Sequence, residues 1–95
     1  MERKSVLVDD MSVCLVCGVP HPHVHHIFMG PKKKFSEKYG YLLPLCYWHH
    51  EGNTGPHLNR EVDLMYKRMA QMHYESHHGT REDFIKEVGK SYLTD

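Results

Sequence analysis

The sequence predicts an α+β fold in which two short strands and a short helix are held by a structural zinc and are followed by two C-terminal helices. Three observations predict it. All three cysteines and seven of the ten histidines precede Leu58. Two apolar segments with strand character flank a basic stretch, and the C-terminal part has helical periodicity. We expect one domain, with an arm at 1–12, a zinc-bound core at 13–57 and a helical tail at 58–95.

Size and composition limit what this chain can be. A chain of 95 residues lies near the lower limit at which a hydrophobic core alone stabilises a fold, and a structural zinc is a common supplement. Its three cysteines are an odd number, which excludes a closed set of internal disulfides. No apolar stretch approaches the roughly 20 residues of a transmembrane helix, and residues 1–4 precede no signal-type apolar run. We therefore expect a cytoplasmic protein with no membrane partner, and the net charge of zero argues against strong non-specific binding to nucleic acid.

The spacing of the cysteines predicts a closed zinc site. Cys14 and Cys17, followed by Gly18, have the spacing of a zinc knuckle, in which two thiolates reach one ion. After 28 intervening residues, Cys46 and His49 repeat the same spacing. The simpler alternative, two buried small residues at 14 and 17, leaves the other clustered cysteine and histidines unexplained. We therefore predict a tetrahedral Cys3His zinc site.

Local signals predict the remaining elements of the core. Residues 24–28 and 41–45 have the character of two short strands, and residues 32–40 between them are predicted to form a basic loop. A helix or helical turn is predicted at 46–51, because the glycines and proline of 52–56 cannot continue it comfortably.

The C-terminal half is predicted to be helical. Asn59 is suited to cap the first helix, Thr80 is suited to cap the second, and Gly89 is suited to end the second. An apolar stripe with spacings of 3, 4 and 3 is predicted to be the core-facing side of the first helix: Val62, Met65, Met69 and Met72.

Histidines outside the zinc site are candidates for a second, open metal site. If His49 binds zinc, its neighbour His50 projects elsewhere, towards a hairpin whose first strand carries His25 and His26. Because adjacent side chains of a strand point to opposite faces, this pair can share one site only at a strand end or a bulge.

Five further histidines are given no site role. His21 and His23 lie in a proline-rich connection and are interpreted as solvated loop residues, with metal binding as the alternative. His73, His77 and His78 lie near the end of the predicted helix, where positive charge complements the helix dipole.

His-His-Ile at 25–27, a predicted hairpin, and Leu-Cys-x-x-His-His at 45–50 together resemble the HNH endonuclease family, whose fold is called ββα-metal. The resemblance covers residues 14–57, about half of the chain, and the helical tail also resembles small phage-encoded members. Two positions depart from the family pattern. Tyr41 stands where many members have an asparagine that braces the hairpin, and His49 replaces the usual last cysteine, although imidazole is an equally good zinc ligand.

The resemblance implies a metal-dependent endonuclease that hydrolyses DNA phosphodiester bonds and leaves 5′-phosphate and 3′-hydroxyl ends. His26 aligns with the general base that takes a proton from water. His25 and His50 align with ligands of a divalent ion, Mg²⁺ or Mn²⁺, for which Ni²⁺ or Co²⁺ can substitute at an all-imidazole site. His57 aligns with a further ligand of that ion or with a phosphate contact. Zinc is expected in the closed site only.

A basic group beside the histidine pair is predicted to contact DNA phosphates, with a solvated surface as the alternative: Lys32, Lys33, Lys34 and Lys38. The rival function is a catalytically silent zinc-binding module that docks on nucleic acid or on a protein partner and uses His26 for packing. A third interpretation keeps the nuclease and adds a phage or recombination protein as its partner, which would compensate for the weak charge of the chain.

Overall fold

The computed structural model describes residues 4–93 and contains a two-stranded antiparallel sheet with several helices, in agreement with the predicted α+β class. Residues 1–3 of the predicted arm and residues 94–95 of the predicted tail lie outside the described residues. Within residues 4–93, none of the helices has both the length and the apolar character needed to cross a bilayer. The elements in chain order are β1 (His23–His26), a 3-10 turn (Gly30–Lys32), α1 (Lys33–Tyr39), β2 (Leu42–Leu45), α2 (Tyr47–Glu51), α3 (Arg60–His77) and α4 (Arg81–Val88).

The two strands form a short hairpin with a fully buried second strand. His25 of β1 lies opposite Leu43 of β2, and β1 ends at His26, two residues earlier than predicted. The reason is the bonding of Phe28. Its N–H donates to Ser36 Oγ (2.8 Å) and its carbonyl accepts from the same hydroxyl (2.9 Å), so the chain here is bonded to α1 rather than to β2.

The segment between the strands is a helix, and the predicted basic loop over 32–40 is wrong. Pro31 lies in the first positions of the 3-10 turn. Backbone N–H groups at a helix start have no acceptor within the helix, so the N–H that proline lacks is not needed there. Gly40 ends α1 in the left-handed conformation with a φ of 78°. Phe35 is buried, and its ring lies 4.9 Å from that of Tyr39, one helical turn later. Proline at the start, glycine at the end and an aromatic pair one turn apart are the helix signals in this segment.

The predicted caps of the two C-terminal helices are confirmed. Asn59 Oδ1 accepts a hydrogen bond from the N–H of Glu61 at 3.0 Å at the start of α3. Thr80 and Asp83 form a reciprocal capping box at the start of α4, and Gly89 ends α4 with a φ of 108°. These bonds satisfy backbone groups that helix ends otherwise leave without partners.

The predicted core stripe of α3 is wrong for its three methionines. Met65, Met69 and Met72 are 47%, 37% and 59% exposed, whereas Val62 packs against the core as expected. A second set of residues at helical spacing includes two tyrosines. Their rings bury more area than methionine side chains, so burying this set stabilises the core more. The residues of α3 that are buried are Tyr66, Ala70, Gln71 and Tyr74.

We expect Ser36→Ala to lower the free energy of unfolding by about 1–3 kcal/mol, because it leaves the N–H and the carbonyl of Phe28 buried without their partner. Urea unfolding measures the change. Ser76→Ala removes a hydroxyl at an exposed position of α3 and is the matched control. Equal unfolding midpoints for the two variants would contradict this role of Ser36.

Candidate functional site

A backbone turn before β1 presents the first two cysteines. The N–H of Gly18 donates to the carbonyl of Cys14 at 2.9 Å, and the N–H of Cys14 donates to the carbonyl of Val19 at 2.8 Å. Gly18 adopts a φ of 77°, which glycine reaches without steric cost. The N–H of Leu15 donates to the carbonyl of Pro44 at 2.7 Å, and this bond holds the turn against β2, just before α2 begins.

The structure brings together the four residues predicted to hold zinc. The ligand atoms of Cys14, Cys17, Cys46 and His49 all lie within 4.8 Å of one another. Cys17 Sγ lies 3.7 Å from Cys46 Sγ, and His49 Nδ1 lies 3.2 Å from Cys46 Sγ and 3.7 Å from Cys14 Sγ. Tetrahedral zinc with bonds of about 2.3 Å to sulfur places two sulfurs roughly 3.8 Å apart. The thiols are free rather than disulfide-bonded, and this Cys3His cluster is suited to a metal ion such as zinc.

The electrostatics of the cysteine cluster favour a bound cation. Burial raises the pKa of the Cys14 thiol, but backbone hydrogen bonds from Cys46 and Cys17 outweigh burial and lower that pKa to about 6. A backbone hydrogen bond from Val19 lowers the pKa of Cys17, but desolvation and hydrogen bonds with Cys46 and Cys14 outweigh it and raise that pKa. One thiolate therefore opposes the ionisation of the next, and a metal ion removes this opposition.

A second cluster consists of three histidines. Ligand atoms of His25, His50 and His57 lie within 4.8 Å of one another. His25 is 1% exposed, and both of its ring nitrogens are buried with no hydrogen-bond partner among the described residues. His50 Nε2 and His57 Nε2 are 3.0 Å apart, close to the separation of two nitrogens bound at about 2.1 Å to one ion. This cluster also fits a metal ion, and it offers three ligands where the cysteine cluster offers four.

The neighbouring histidines 49 and 50 belong to different clusters, as the sequence interpretation placed them. His23, interpreted as a solvated loop residue, is the exposed first residue of β1, and its Nδ1 lies 3.0 Å from His50 Nδ1. Glu51 Oε1 lies 3.5 Å from His50 Nδ1 and 3.8 Å from His57 Nε2. These partners suit a His50 that binds metal through Nε2, because its Nδ1 hydrogen then has an acceptor. His21 belongs to neither cluster.

The loop after α2 returns His57 to His50. The N–H of Gly55 donates to the carbonyl of Gly52 at 2.9 Å, which turns the chain back onto α2. A Cβ at position 55 would lie 2.6 Å from the carbonyl oxygen of His50. Only glycine allows this close approach, so the glycine-rich break completes the histidine cluster as well as ending the helix.

His26 contacts a residue that the sequence analysis did not single out. Its Nε2 lies 2.7 Å from Glu37 Oε1, with the His26 side chain 10% exposed. His26 is the last residue of β1, which is the strand-end position required if it is to share a site with His25. Recognising α1 as a helix would have brought Glu37 into consideration, because this helix packs on β1.

The lysines predicted to contact phosphates lie on α1, which also carries Glu37, and on the turn just before it. Lys32 ends the 3-10 turn, and α1 carries the other three lysines on its exposed side: Lys33, Lys34 and Lys38. The contact between His26 and Glu37 places α1, and with it these lysines, on the side of the molecule where His26 lies.

Tyr41, which departs from the family pattern expected from the sequence, is a core residue. Tyr41 is 0% exposed, and its hydroxyl lies 3.2 Å from His73 Nδ1. The carbonyl of Tyr41 accepts the N–H of Ile27 at 3.1 Å, beyond the end of the β1–β2 pairing. Together with the hydrogen bonds of the Ser36 hydroxyl, this backbone bond holds the end of the hairpin.

Comparison of the chain with models of protein families, with curated proteins and with solved structures finds no match.

We expect the purified protein to hold one zinc in the cysteine cluster and to lose cooperative unfolding when a strong chelator removes it, because the ligands come from distant segments that the ion links. His49→Ala should lower zinc content and the melting temperature. His77→Ala, which removes an exposed imidazole outside both clusters, should keep the zinc content of wild type. Elemental analysis and thermal unfolding measure the two quantities, and a metal-free protein with unchanged melting would contradict the zinc assignment.

Burial of His25 predicts a pH dependence of stability. Burial, followed by the charges of His50 and His57, lowers the pKa of His25 from 6.5 to about 3. The unfolded state thus binds a proton that the folded state does not, and stability falls as the pH falls from 6.5 towards 3, by up to about 1.4 kcal/mol per pH unit. Urea unfolding without added divalent ion should show a shallower fall for His25→Phe than for wild type. Parallel profiles would contradict the prediction.

Proposed function

We propose that this chain is a metal-dependent HNH-type endonuclease that hydrolyses DNA phosphodiester bonds. The observation that carries the proposal is His25, a buried imidazole whose two nitrogens have no hydrogen-bond partner in the described chain and which lies beside His50 and His57. A buried polar group without a partner costs about 1–3 kcal/mol, and a divalent ion would supply the missing partner. Three imidazoles would leave coordination positions for water and for a phosphate oxygen.

The two clusters support a division of labour between two ions. Four protein ligands complete a tetrahedral site, which suits a structural zinc that exchanges nothing with solvent. Three ligands suit an open site where chemistry takes place. Adjacent positions of α2, His49 and His50, contribute to the two sites, so the closed site would hold the open one in position.

His26 is proposed as the general base. When bound, a divalent ion on the open cluster would neutralise charge on the phosphate and on the departing 3′ oxygen. His26 with its hydrogen on Nε2 donates to Glu37, and the neutral imidazole takes the proton of the attacking water. The Glu37 carboxylate holds this tautomer and stabilises the imidazolium that forms. The departing 3′ oxygen takes a proton from solvent, which gives 5′-phosphate and 3′-hydroxyl ends.

The lysines of the 3-10 turn and α1 support a phosphate-binding role next to this pair. Such contacts position a DNA backbone without reading its sequence. The net charge of zero limits the affinity that they provide, and this favours action with a phage or recombination protein that delivers the DNA in the cytoplasm.

The alternative is a catalytically silent zinc-binding module that docks on nucleic acid or protein. The net charge of zero favours it, and the contact between His26 and Glu37 would then be an ion pair that only links β1 to α1. The two functions differ in what happens when His26 is removed.

A plasmid-nicking assay with Mg²⁺, Mn²⁺, Ni²⁺ or Co²⁺ separates the two functions. Wild type should nick, and the product should be sealed by DNA ligase, which requires the proposed ends. His26→Ala should lower the rate by about 10²–10⁴-fold. Glu37→Gln should lower it by about 10-fold or more, because the amide cannot stabilise an imidazolium.

Both variants should keep the zinc content of wild type, and His77→Ala is the imidazole control with unchanged rate. A zinc-loaded, folded wild type that cleaves neither plasmid nor a circular single strand with any of the four ions would leave the silent module as the function.

A further inference from the structure

Helix α2 carries an exposed aromatic pair directly before its two metal-cluster histidines. Tyr47 is 62% exposed and Trp48 is 70% exposed. Their ring centroids are 6.2 Å apart with the planes at 76°. Side chains of this size normally contribute to a core or an interface, and within residues 4–93 no segment covers them.

Tyr47 of this pair adjoins the open histidine cluster. The ring of His23 lies 6.4 Å from that of Tyr47 and 5.2 Å from that of His50. Tyr47 and His50 are three residues apart in one helix, a spacing that places side chains on the same side. The aromatic surface is therefore continuous with the surface at which the open site would meet its substrate.

A glycine allows Trp48 to take its position. A Cβ at position 52 would lie 2.9 Å from Cε3 of the Trp48 indole and 2.4 Å from the Trp48 carbonyl oxygen. Gly52 thus lets the indole lie back against the end of α2, while most of the ring surface stays open to solvent. This is an arrangement suited to stacking.

We propose that Tyr47 and Trp48 stack on unpaired bases, so that the open site prefers single-stranded DNA to duplex DNA. This inference rests on the proposed function. Any molecule bound to the aromatic surface also lies against the histidine cluster. A protein bound there would cover the open site, whereas a DNA strand bound there would enter it as substrate. Bases within a duplex already stack on each other, whereas unpaired bases offer their faces to aromatic side chains.

The charge of the chain points to the same substrate. Duplex binding without base contacts depends on Lys and Arg, and its affinity falls steeply with salt. A chain with 12 basic and 12 acidic residues has little of this attraction to offer. Stacking adds affinity that does not depend on net charge, and it requires single-stranded DNA.

Trp48 is the only tryptophan of the chain, so its fluorescence reports on this surface alone. The zinc-loaded full chain is titrated with a mixed-sequence single-stranded oligonucleotide and with the corresponding duplex, without added divalent ion. We expect quenching by the single strand and weaker binding of the duplex. Because no cleavage is involved, this result is independent of the nicking assay, and an inactive protein that still shows quenching would contradict the nuclease while keeping the stacking surface.

Variants are compared by the fluorescence anisotropy of a labelled single strand. Trp48→Ala should weaken binding by about 10-fold or more, and Tyr47→Ala should also weaken it, while Trp48→Phe retains most of the affinity. Met72→Ala, an exposed apolar residue of α3, should have no effect. The slope of affinity against salt should stay at its wild-type value in Trp48→Ala, because no phosphate contact is lost.

Absence of quenching by the single strand, or equal single-strand affinity of Trp48→Ala and wild type, would overturn the proposal. A reduced salt slope in Trp48→Ala would also overturn it, since the loss would then be a loss of phosphate contacts. If Trp48→Ala fails to fold, Trp48→Leu keeps an apolar contact with Gly52 without an aromatic face, and the same outcomes apply to it.

Discussion

The architecture depends on the convergence of a backbone turn and a five-residue helix on one Cys3His cluster. On this side of the molecule apolar packing is sparse, since Leu15 and Val16 in the turn are 42% and 54% exposed. The turn is otherwise held to the sheet by single backbone hydrogen bonds such as the one from Leu15 to Pro44. A helix as short as α2 is not stable by itself. An ion shared by the turn and α2 would therefore account for how these segments keep a defined position.

The geometry of α2 then explains why two clusters exist. Consecutive residues of a helix point about 100° apart, so neighbouring histidines cannot face one ion equally well. His49 faces the cysteines, and His50 faces His25 on the hairpin. The close approach of Gly55 to the end of α2 brings His57 back to the same place. One short helix thus links a site with four ligands to a site with three.

Charge separates the roles of the two clusters. Three thiolates around a zinc ion would leave that centre with a net negative charge, which suits a structural role. A divalent ion on three neutral imidazoles would keep its full double positive charge. In a chain with a net charge of zero, this would be a local concentration of positive charge, and it would lie beside exposed aromatic rings. The proposed preference for a single DNA strand follows from this combination of a local positive charge and stacking surfaces.

Spacing and local signals in the sequence determined the α+β class, the helix caps and the separation of His49 from His50, because each depends on residues a few positions apart. Contacts between distant segments decided the rest. Two tyrosines of α3 are buried where the methionine stripe was predicted to be. Several faces of a helix can fit the same period, and packing against the rest of the core selects one of them. Glu37 reached His26 only because the segment between the strands folds as a helix against β1. The isolation of the His25 nitrogens is likewise invisible in the sequence, since burial depends on what the whole fold places around a side chain.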